Sequence, residues 1–95
     1  MAVLNFSYAH IKDSNKFMEY VKAAGELMEK ANVEVLVRGE YSTTMRGDNC
    51  SPHIAAVFRY PDRAAVENFY SSDEYVTLIP LRDEACDMTI NIYEE

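Results

Sequence analysis

The fold is decided by residues Val57 to Arg82, VFRYPDRAAVENFYSSDEYVTLIPLR. Phe58 and Tyr60 occupy alternate positions, which is the two-residue period of a β-strand. Pro61 removes a backbone donor and fixes φ, so we expect the strand to end there. Asp62 follows at once and is a good N-cap, which predicts that a helix begins directly after it.

Two helical segments are predicted in the rest of this stretch. The apolar residues of the first fall at the i, i+1, i+4, i+5 spacing of one helical face: Ala65, Val66, Phe69 and Tyr70. Ser71 and Ser72 should end that helix, and Ser72 is placed to cap the second segment. Pro80 lies inside the second segment, where it deletes a hydrogen bond and clashes with the preceding turn, so we expect a bent or 3₁₀-like segment.

The remaining chain completes an alternation of strands and helices. The four predicted strands are Val3 to Ile11, Val33 to Glu40, His53 to Tyr60 and Met88 to Tyr93. An amphipathic helix capped by Asp13 lies between the first two strands. The order βαββαβ is the ferredoxin-like plan, an α+β fold whose four-stranded antiparallel sheet carries its helices on one face. We expect a single domain over residues 1–95.

The strand patterns predict which side chains meet the helices. The apolar sets should do so: Leu4/Phe6/Tyr8, Val33/Val35/Val37, Ile54/Ala56/Phe58 and Met88/Ile90/Ile92. The other face should carry a mixture: Asn5, Ser7, Leu36, Arg38, Ala55, Val57, Arg59, Thr89 and Asn91. Such a mixture suits one wall of a semi-polar barrel, and it also suits an ordinary solvated sheet face. Opposite charges predict a register with Glu34 facing Arg59, Glu40 facing His53, and Leu36 facing Val57.

A family pattern runs through these elements. The matching residues are Phe69, Tyr70, Ser72, Glu74, Tyr75, Leu81 and Arg82, with Arg38-Gly39 after the second strand and Asp13, Tyr20 and Ala23-Ala24 in the first helix. With these residues the chain resembles the domain-of-unknown-function 1330 family over nearly its whole length. The resemblance implies the dimeric α/β-barrel superfamily, which holds small monooxygenases, isomerases and haem enzymes. It therefore implies a homodimer in which two sheets close a barrel.

Composition excludes several classes of partner. The net charge of −7 argues against nucleic acid and against an anionic membrane surface, since both need a basic protein surface. No window approaches the ~18 apolar residues of a spanning helix, and the N-terminal sequence lacks the basic region and cleavage site of a signal peptide. We therefore expect a cytoplasmic protein whose cysteines, Cys50 and Cys86, are reduced.

Six polar residues are candidates for a ligand site in the barrel lumen: Arg38, His53, Arg59, Asn5, Ser7 and Asn91. They could hold a small anionic or carbonyl molecule, because arginine suits carboxylates. The alternative is cross-strand ion pairing with Glu34 and Glu40. The family-motif residues Tyr70, Tyr75 and Arg82 belong either at a pocket mouth or in packing, where a tyrosine buries its ring and bonds through its hydroxyl.

No metal site or cofactor is predicted. Cys50-x-x-His53 has the spacing of a metal-binding pair, but the chain offers no second pair and only one further imidazole, His10. The predicted function is a homodimer that binds a small molecule in its lumen, with no reaction assigned. The alternatives are a homodimer with a structural or interaction role and no ligand, and a cofactor-free monooxygenase- or isomerase-like enzyme, as the resemblance implies.

Overall fold

The computed structural model describes residues 1–95 and contains seven elements. They are β1 (Val3–Ile11), α1 (Ser14–Lys30), β2 (Glu34–Glu40), β3 (Ile54–Tyr60), α2 (Arg63–Ser71), α3 (Asp73–Ala85) and β4 (Cys86–Glu94). The strands form one antiparallel sheet in the order β2-β3-β1-β4. The predicted α+β, ferredoxin-like fold is confirmed. None of the three helices has the length and apolar character needed to cross a bilayer.

All three helices begin at side-chain caps that the sequence indicates. The carboxylates of Asp13 and Asp62 each accept a hydrogen bond from the backbone N–H three residues on, at 3.0 and 2.8 Å. Ser72 ends α2 and also caps α3, where its hydroxyl accepts from the Tyr75 N–H at 3.2 Å. Each cap satisfies a backbone donor that the first turn of a helix leaves free.

Pro80 does not break the second helical segment, which is α-helical throughout, so the prediction of a 3₁₀-like stretch is wrong. The α3 helix is continuous across Pro80. Proline removes only one hydrogen bond, the one that its own N–H would have donated to the carbonyl of Val76. Val76 lies on the exposed side of α3, where water can bond the freed carbonyl. The buried residues Tyr75 and Ala85 hold the two ends of the helix in the core.

The β1 strand turns the opposite face to the helices from the one predicted. Its buried residues are Val3, Asn5, Ser7 and Ala9, whereas Leu4, Phe6 and Tyr8 are half-buried on the outer face of the sheet. The register gives the reason, because Asn5 pairs with Phe58 and Ser7 with Ala56, two helix-facing residues of β3. The prediction that Asn5 and Ser7 lie on the outer face is therefore wrong.

A β-bulge at Leu36 divides β2 between the two faces of the sheet. Val35 lies on the helix side before the bulge, but Val37 lies opposite Val57 on the outer face after it. The extra residue reverses the alternation of side chains, so Arg38 projects on the helix side. The predictions that Leu36 faces Val57 and that Arg38 shares the outer face are both wrong for this reason.

The predicted register is correct at one end of the β2–β3 pair only. Glu34 lies opposite Arg59, as the complementary charges indicate. Glu40 lies opposite Ile54 and not opposite His53. The bulge between these two points changes the pairing by one residue, and charge complementarity worth about 0.2–1 kcal/mol per pair cannot override it.

The core lies between the helices and the sheet. Its buried members include Tyr20, Met28, Phe58, Val66 and Phe69. The outer face of the sheet has no helix over it, and apolar side chains there stay accessible, with Val37 57% and Tyr93 50% exposed. The molecule is consequently a thin slab, 34 × 31 × 16 Å.

Candidate ligand-binding site

A buried polar cluster of Asn5, Ser7, Tyr60 and Tyr70 lies under the helices. The Ser7 hydroxyl donates to Asn5 Oδ1 at 2.6 Å, and Asn5 Nδ2 donates to the Tyr70 hydroxyl at 2.7 Å. Asn5 is fully buried and Ser7 is nearly so. Polar groups in a protein interior need such partners, so β1 tolerates two of them because a tyrosine of α2 reaches down to the sheet.

The same bonds leave unused hydrogen-bonding capacity. Tyr70 accepts a hydrogen bond from Asn5, so the proton of its own hydroxyl remains to be donated. The Ser7 hydroxyl donates its proton to Asn5, so the Ser7 oxygen remains able to accept a hydrogen bond. A hydroxyl carries both one donor and two acceptor positions. The cluster therefore offers one free donor and one free acceptor to a neighbour.

Tyr60 is the unsatisfied member of the polar cluster. Its side chain is 1% exposed, and its hydroxyl has no partner at good hydrogen-bonding distance and angle. Tyr70 and Asn5 are nevertheless close enough for weak hydrogen bonds to change the pKa of Tyr60. Burial raises the pKa of Tyr60 and of Tyr70 above the usual tyrosine value, because a phenolate would be poorly solvated there. Both phenols are thus neutral donors at physiological pH.

A second tyrosine pair joins α1 to α3. The hydroxyls of Tyr20 and Tyr75 lie 2.8 Å apart, and Arg82 Nη1 donates to Tyr75 at 3.1 Å. Burial lowers the pKa of Arg82, but the hydrogen bond to Tyr75 and the nearby Asp83 outweigh it, so the pKa is raised overall. Burial also raises the pKa of Tyr20. Tyr75 and Arg82 thus make their hydrogen bonds within the helical layer.

A cavity of about 80 Å³ opens between α1 and the sheet beside the polar cluster. Its walls are mainly apolar, with Phe17 and Val21 of α1 on one side and Ala56 of β3 on the other. Of its polar lining residues, Ser7 is buried and Tyr70 is half-buried, and we call the part of the cavity that they line its buried end. The exposed residues Gly25 and Arg38 line its open side. The lining contains no imidazole, thiol or carboxylate group.

Three of the predicted site residues line this cavity, Ser7, Arg38 and Tyr70, and Asn5 lies behind them, bonded to Ser7 and Tyr70. The remaining lumen candidates, His53, Arg59 and Asn91, lie away from it on the outer face. Tyr75 and Arg82 lie in the helical layer and do not line the cavity. Asn91 is exposed and pairs with Phe6. The predicted residues are thus divided between the two faces of the sheet. Asn5 and Ser7 lie on the helix side because β1 turns that face to the helices, and Arg38 lies there because of the bulge.

Arg59 is committed to ion pairs. Its guanidinium donates to Glu34 at 2.8 Å and makes two hydrogen bonds to Glu95 at 2.8 and 2.9 Å. The hydrogen bond to Glu95 raises the pKa of Arg59, and the same bond lowers the pKa of Glu95. The alternative of cross-strand pairing with Glu34 is therefore confirmed for this arginine.

His53 packs in an aromatic group at the end of the outer face. Its ring stacks on Tyr41 with centroids 5.0 Å apart, and it lies 5.0 Å from the His10 ring. Its Nδ1 lies 2.8 Å from the carbonyl oxygen of Ser51. Cys50 is exposed, and no group of three or more His, Cys, Asp or Glu side chains is arranged to hold a metal ion.

Sequence reasoning missed three contributors to the site. Tyr60 completes the polar cluster, Phe17 forms a cavity wall, and Gly25 lines the mouth, where a methyl group added to it would meet no atom within 4 Å. A glycine inside a 17-residue helix is the one available signal, because glycine weakens a helix and so draws attention to its position.

Solved structures of other proteins share the fold of this chain but little of its sequence. A family model described as Domain of unknown function (DUF1330) matches residues 3–95. The RPA0582 protein of unknown function from Rhodopseudomonas palustris is 13% identical, with a TM-score of 0.87 over 99% of this chain and 82% of that one. No curated protein sequence matches the chain.

Two further solved structures have the same architecture. SnoaB from Streptomyces nogalater, described as a cofactor-independent oxygenase, is 6% identical, with a TM-score of 0.72 over 99% of this chain and 92% of that one. Rv0793 from Mycobacterium tuberculosis is 11% identical, with a TM-score of 0.63 over 100% and 95%. These likenesses concern the fold, whereas the family match extends across almost every residue, and the chain belongs to the DUF1330 family.

Proposed function

We propose that the protein binds a small, largely apolar molecule in the cavity between α1 and the sheet. Tyr70 would donate a hydrogen bond to a carbonyl or hydroxyl oxygen of that molecule, and Ser7 would accept one from a donor. The observation that carries the proposal is the unused donor and acceptor at the buried end of an apolar cavity. An apolar pocket with a few convergent polar groups is the usual form of a small-molecule site.

The size of the cavity limits the molecule. Its volume of about 80 Å³ is roughly half that of the engineered 150 Å³ cavity that accepts benzene. The buried part of the ligand is accordingly a short chain or a small branched group. A larger ligand would have to extend past Gly25 and Arg38 toward solvent.

The lining favours binding, and no reaction is assigned. General acid–base catalysis uses a group whose pKa lies near the working pH, but the phenols of the polar cluster have raised pKa values and the only charged group in the lining is Arg38. SnoaB is described as a cofactor-independent oxygenase, and at 6% identity this likeness supplies a fold and no chemistry.

We propose in addition that two copies pair through their outer sheet faces. That face carries Phe6, Val37, Val57 and Tyr93, and the Phe6 and Tyr93 rings pack edge to face at 4.9 Å. A stable interface needs roughly 800 Å² from each partner, and a slab of 34 × 31 Å offers a face of that order. Arg59 with its carboxylate partners would then border the lumen.

We also propose a reducing compartment, the cytoplasm, for this protein. Cys50 is exposed and Cys86 is buried, and both thiols are free. Burial raises the pKa of the Cys86 thiol, which keeps it protonated. Free thiols persist where glutathione keeps them reduced, and fractionation of cells that express the protein would test this assignment.

The cavity proposal is tested by filling the cavity. Amide proton–nitrogen NMR spectra would be recorded while methyl ethyl ketone is added, and the signals of Ser7, Tyr70 and Gly25 should shift together and saturate. Ala56→Leu adds three carbons to the cavity wall and should abolish the shifts. Ala55→Leu makes the same change one residue away on the outer face and should leave them intact. Shifts that persist in Ala56→Leu would contradict the proposal.

A further inference from the structure

We infer that the ligand is a small carboxylate that carries a neutral carbonyl at its other end, and that Arg38 determines this specificity. The inference rests on the proposed function, because it assigns the two ends of a molecule bound in the same cavity. It adds a charged contact at the mouth to the neutral contacts at the buried end.

The bulge brings Arg38 to the cavity. In an uninterrupted strand Arg38 would share the outer face with Arg59, but the extra residue at Leu36 places it opposite Ala56 on the helix side. Ser7 lies opposite Ala56 from the other strand. Ser7, Ala56 and Arg38 therefore form one row across three adjacent strands, with the apolar alanine between the two polar residues.

Arg38 has no ionic partner. The three arginines with one are Arg59, Arg63 and Arg82, each within 4.0 Å of a carboxylate. Arg38 makes no salt bridge or side-chain hydrogen bond, although the chain has 16 acidic residues against 9 basic ones. A planar guanidinium binds a carboxylate through two parallel hydrogen bonds. An unpaired arginine beside an apolar cavity in an acidic protein thus has its binding capacity available to an outside anion.

The two ends of the cavity differ in what they can stabilise. Ser7 and Tyr70 supply neutral hydrogen bonds in a buried setting, and no cation lies there to balance an anion. Burying an unpaired carboxylate is costly, so the charged end of a ligand belongs at Arg38. A carbonyl oxygen, which accepts from Tyr70 without carrying a charge, belongs at the buried end.

The spacing sets the length of the ligand. Neighbouring strands lie about 4.8 Å apart, so the backbones of Ser7 and Arg38, two strands apart, are separated by roughly 10 Å. Both side chains line the same cavity, so a ligand that contacts both is shorter than this separation. A short oxo acid such as levulinate, in which two methylene groups separate the ketone from the carboxylate, is of suitable length to bridge them.

Three small molecules separate the contribution of the carboxylate to binding from that of the ketone. Levulinate has both groups, acetonylacetone replaces the carboxylate by a neutral methyl ketone of the same shape, and valerate lacks the ketone. NMR titrations at low ionic strength should show levulinate binding at least about tenfold more tightly than either of the others, a difference of about 1.4 kcal/mol. The shifts should include the amides of Ser7, Tyr70 and Arg38.

Variants then test whether Arg38 is the residue that binds the carboxylate. Arg38→Gln should remove the preference for levulinate over acetonylacetone, and Arg38→Lys should restore part of it. Arg46→Gln is the matched control, because Arg46 is an exposed arginine without an ionic partner in the loop after β2, and it should bind levulinate like the unmodified protein. Amide spectra of each variant without probe verify that it is folded.

Contrary results are distinguishable. Equal binding of levulinate and acetonylacetone, with shifts at Ser7 and Tyr70, would overturn the inference and leave the cavity proposal standing. Levulinate binding that is lost in Arg46→Gln and kept in Arg38→Gln would also overturn it. If none of the three probes shifts the cavity amides while methyl ethyl ketone does, the assignment of a ligand carboxylate to Arg38 is wrong. If methyl ethyl ketone fails as well, both proposals are wrong.

Discussion

Tyr20 and Tyr75 share a hydrogen bond of 2.8 Å between their hydroxyls, and this bond links α1 to α3 in the buried helical layer. Arg82 adds a third polar group by donating to Tyr75 at 3.1 Å. The two helices thus approach each other through a polar contact in the buried helical layer. The two tyrosines are 55 positions apart in sequence, so their hydrogen bond holds together elements that no local interaction joins.

Removing the hydroxyl of Tyr75 should destabilise the fold more than removing that of Tyr20. Tyr75→Phe leaves the hydroxyl of Tyr20 with only the Met88 sulfur at 3.9 Å and removes the acceptor of Arg82, so we expect a loss of about 1–3 kcal/mol. Tyr20→Phe leaves Tyr75 bonded to Arg82 and should cost about 0.5–1.5 kcal/mol. Urea unfolding of both variants and of the double variant would measure the coupling. Strictly additive losses would show that the two hydroxyls do not interact.

Tyr60→Phe should increase stability. The Tyr60 hydroxyl is buried without a hydrogen bond, and the desolvation of such a group costs about 1–3 kcal/mol, so its removal should recover about 1 kcal/mol of that cost. Tyr70→Phe is the matched control, because it deletes the partner of Asn5 and should destabilise the protein. Thermal and urea unfolding compare the two variants. A loss of stability in Tyr60→Phe would show that its hydroxyl has a partner, for instance an ordered water molecule.

Stability should fall steeply at alkaline pH. Burial raises the folded-state pKa of Tyr20, Tyr60 and Tyr70, so their contribution is fully present below the unfolded value of about 10. Above that pH the unfolded chain loses protons that the folded chain keeps. Each of these tyrosines then lowers the free energy of unfolding by about 1.4 kcal/mol per pH unit. Urea titrations across this range should show a slope that decreases in Tyr60→Phe, and an unchanged slope would contradict the assignment.

The two phenylalanines of the helical layer should differ in importance. Phe69 is 6% exposed and packs against Tyr60, Tyr70 and Tyr75, so Phe69→Ala should cost about 3–5 kcal/mol. Phe17 is half-buried and borders the cavity. Phe17→Ala should cost less, about 2 kcal/mol, because a ring that is partly exposed loses less transfer free energy. Equal losses in denaturant titrations would mean that the cavity wall is packed as tightly as the core.

The proposed dimer should depend on Val57. Sedimentation at micromolar concentration should give a species of twice the 10.9 kDa chain mass. Val57→Asp places a charge at the centre of the outer face and should yield monomers of lower stability, more so at low protein concentration. Asn15→Asp adds the same charge at an exposed position of α1 and should remain dimeric. Unmodified protein that sediments at the monomer mass would refute the pairing and the lumen together.

Local chemistry made most of the fold predictable. The caps at Asp13, Asp62 and Ser72 act on backbone groups three residues away, so their effect can be recognised in a short window of sequence. Pro80 shows the limit of the same reasoning, because its cost depends on whether water reaches the carbonyl that it leaves free. That exposure is set by the packing of the whole helix.

The site was harder to predict because its contacts are distant in sequence. Asn5 looks like a solvent-facing residue until Tyr70, 65 positions away, is seen to bond it. The bulge at Leu36 has no turn residue or proline to indicate it, so the face of Arg38 could not be assigned from alternation. The ion pair of Glu34 with Arg59 was predictable, since it needs only charge complementarity between adjacent strands.

The bulge at Leu36 also bears on how relatives of this protein should be compared. Because residue 36 is surplus to the pairing, a chain that lacks it would keep every later side chain of β2 on its present face and would simply have a straight strand. A one-residue deletion in β1 or β3, which have neighbours on both sides, would invert half of a central strand. Length variation within the family is therefore expected at this edge, and an alignment that allows no gap at residue 36 would match Arg38 with residues of the wrong face.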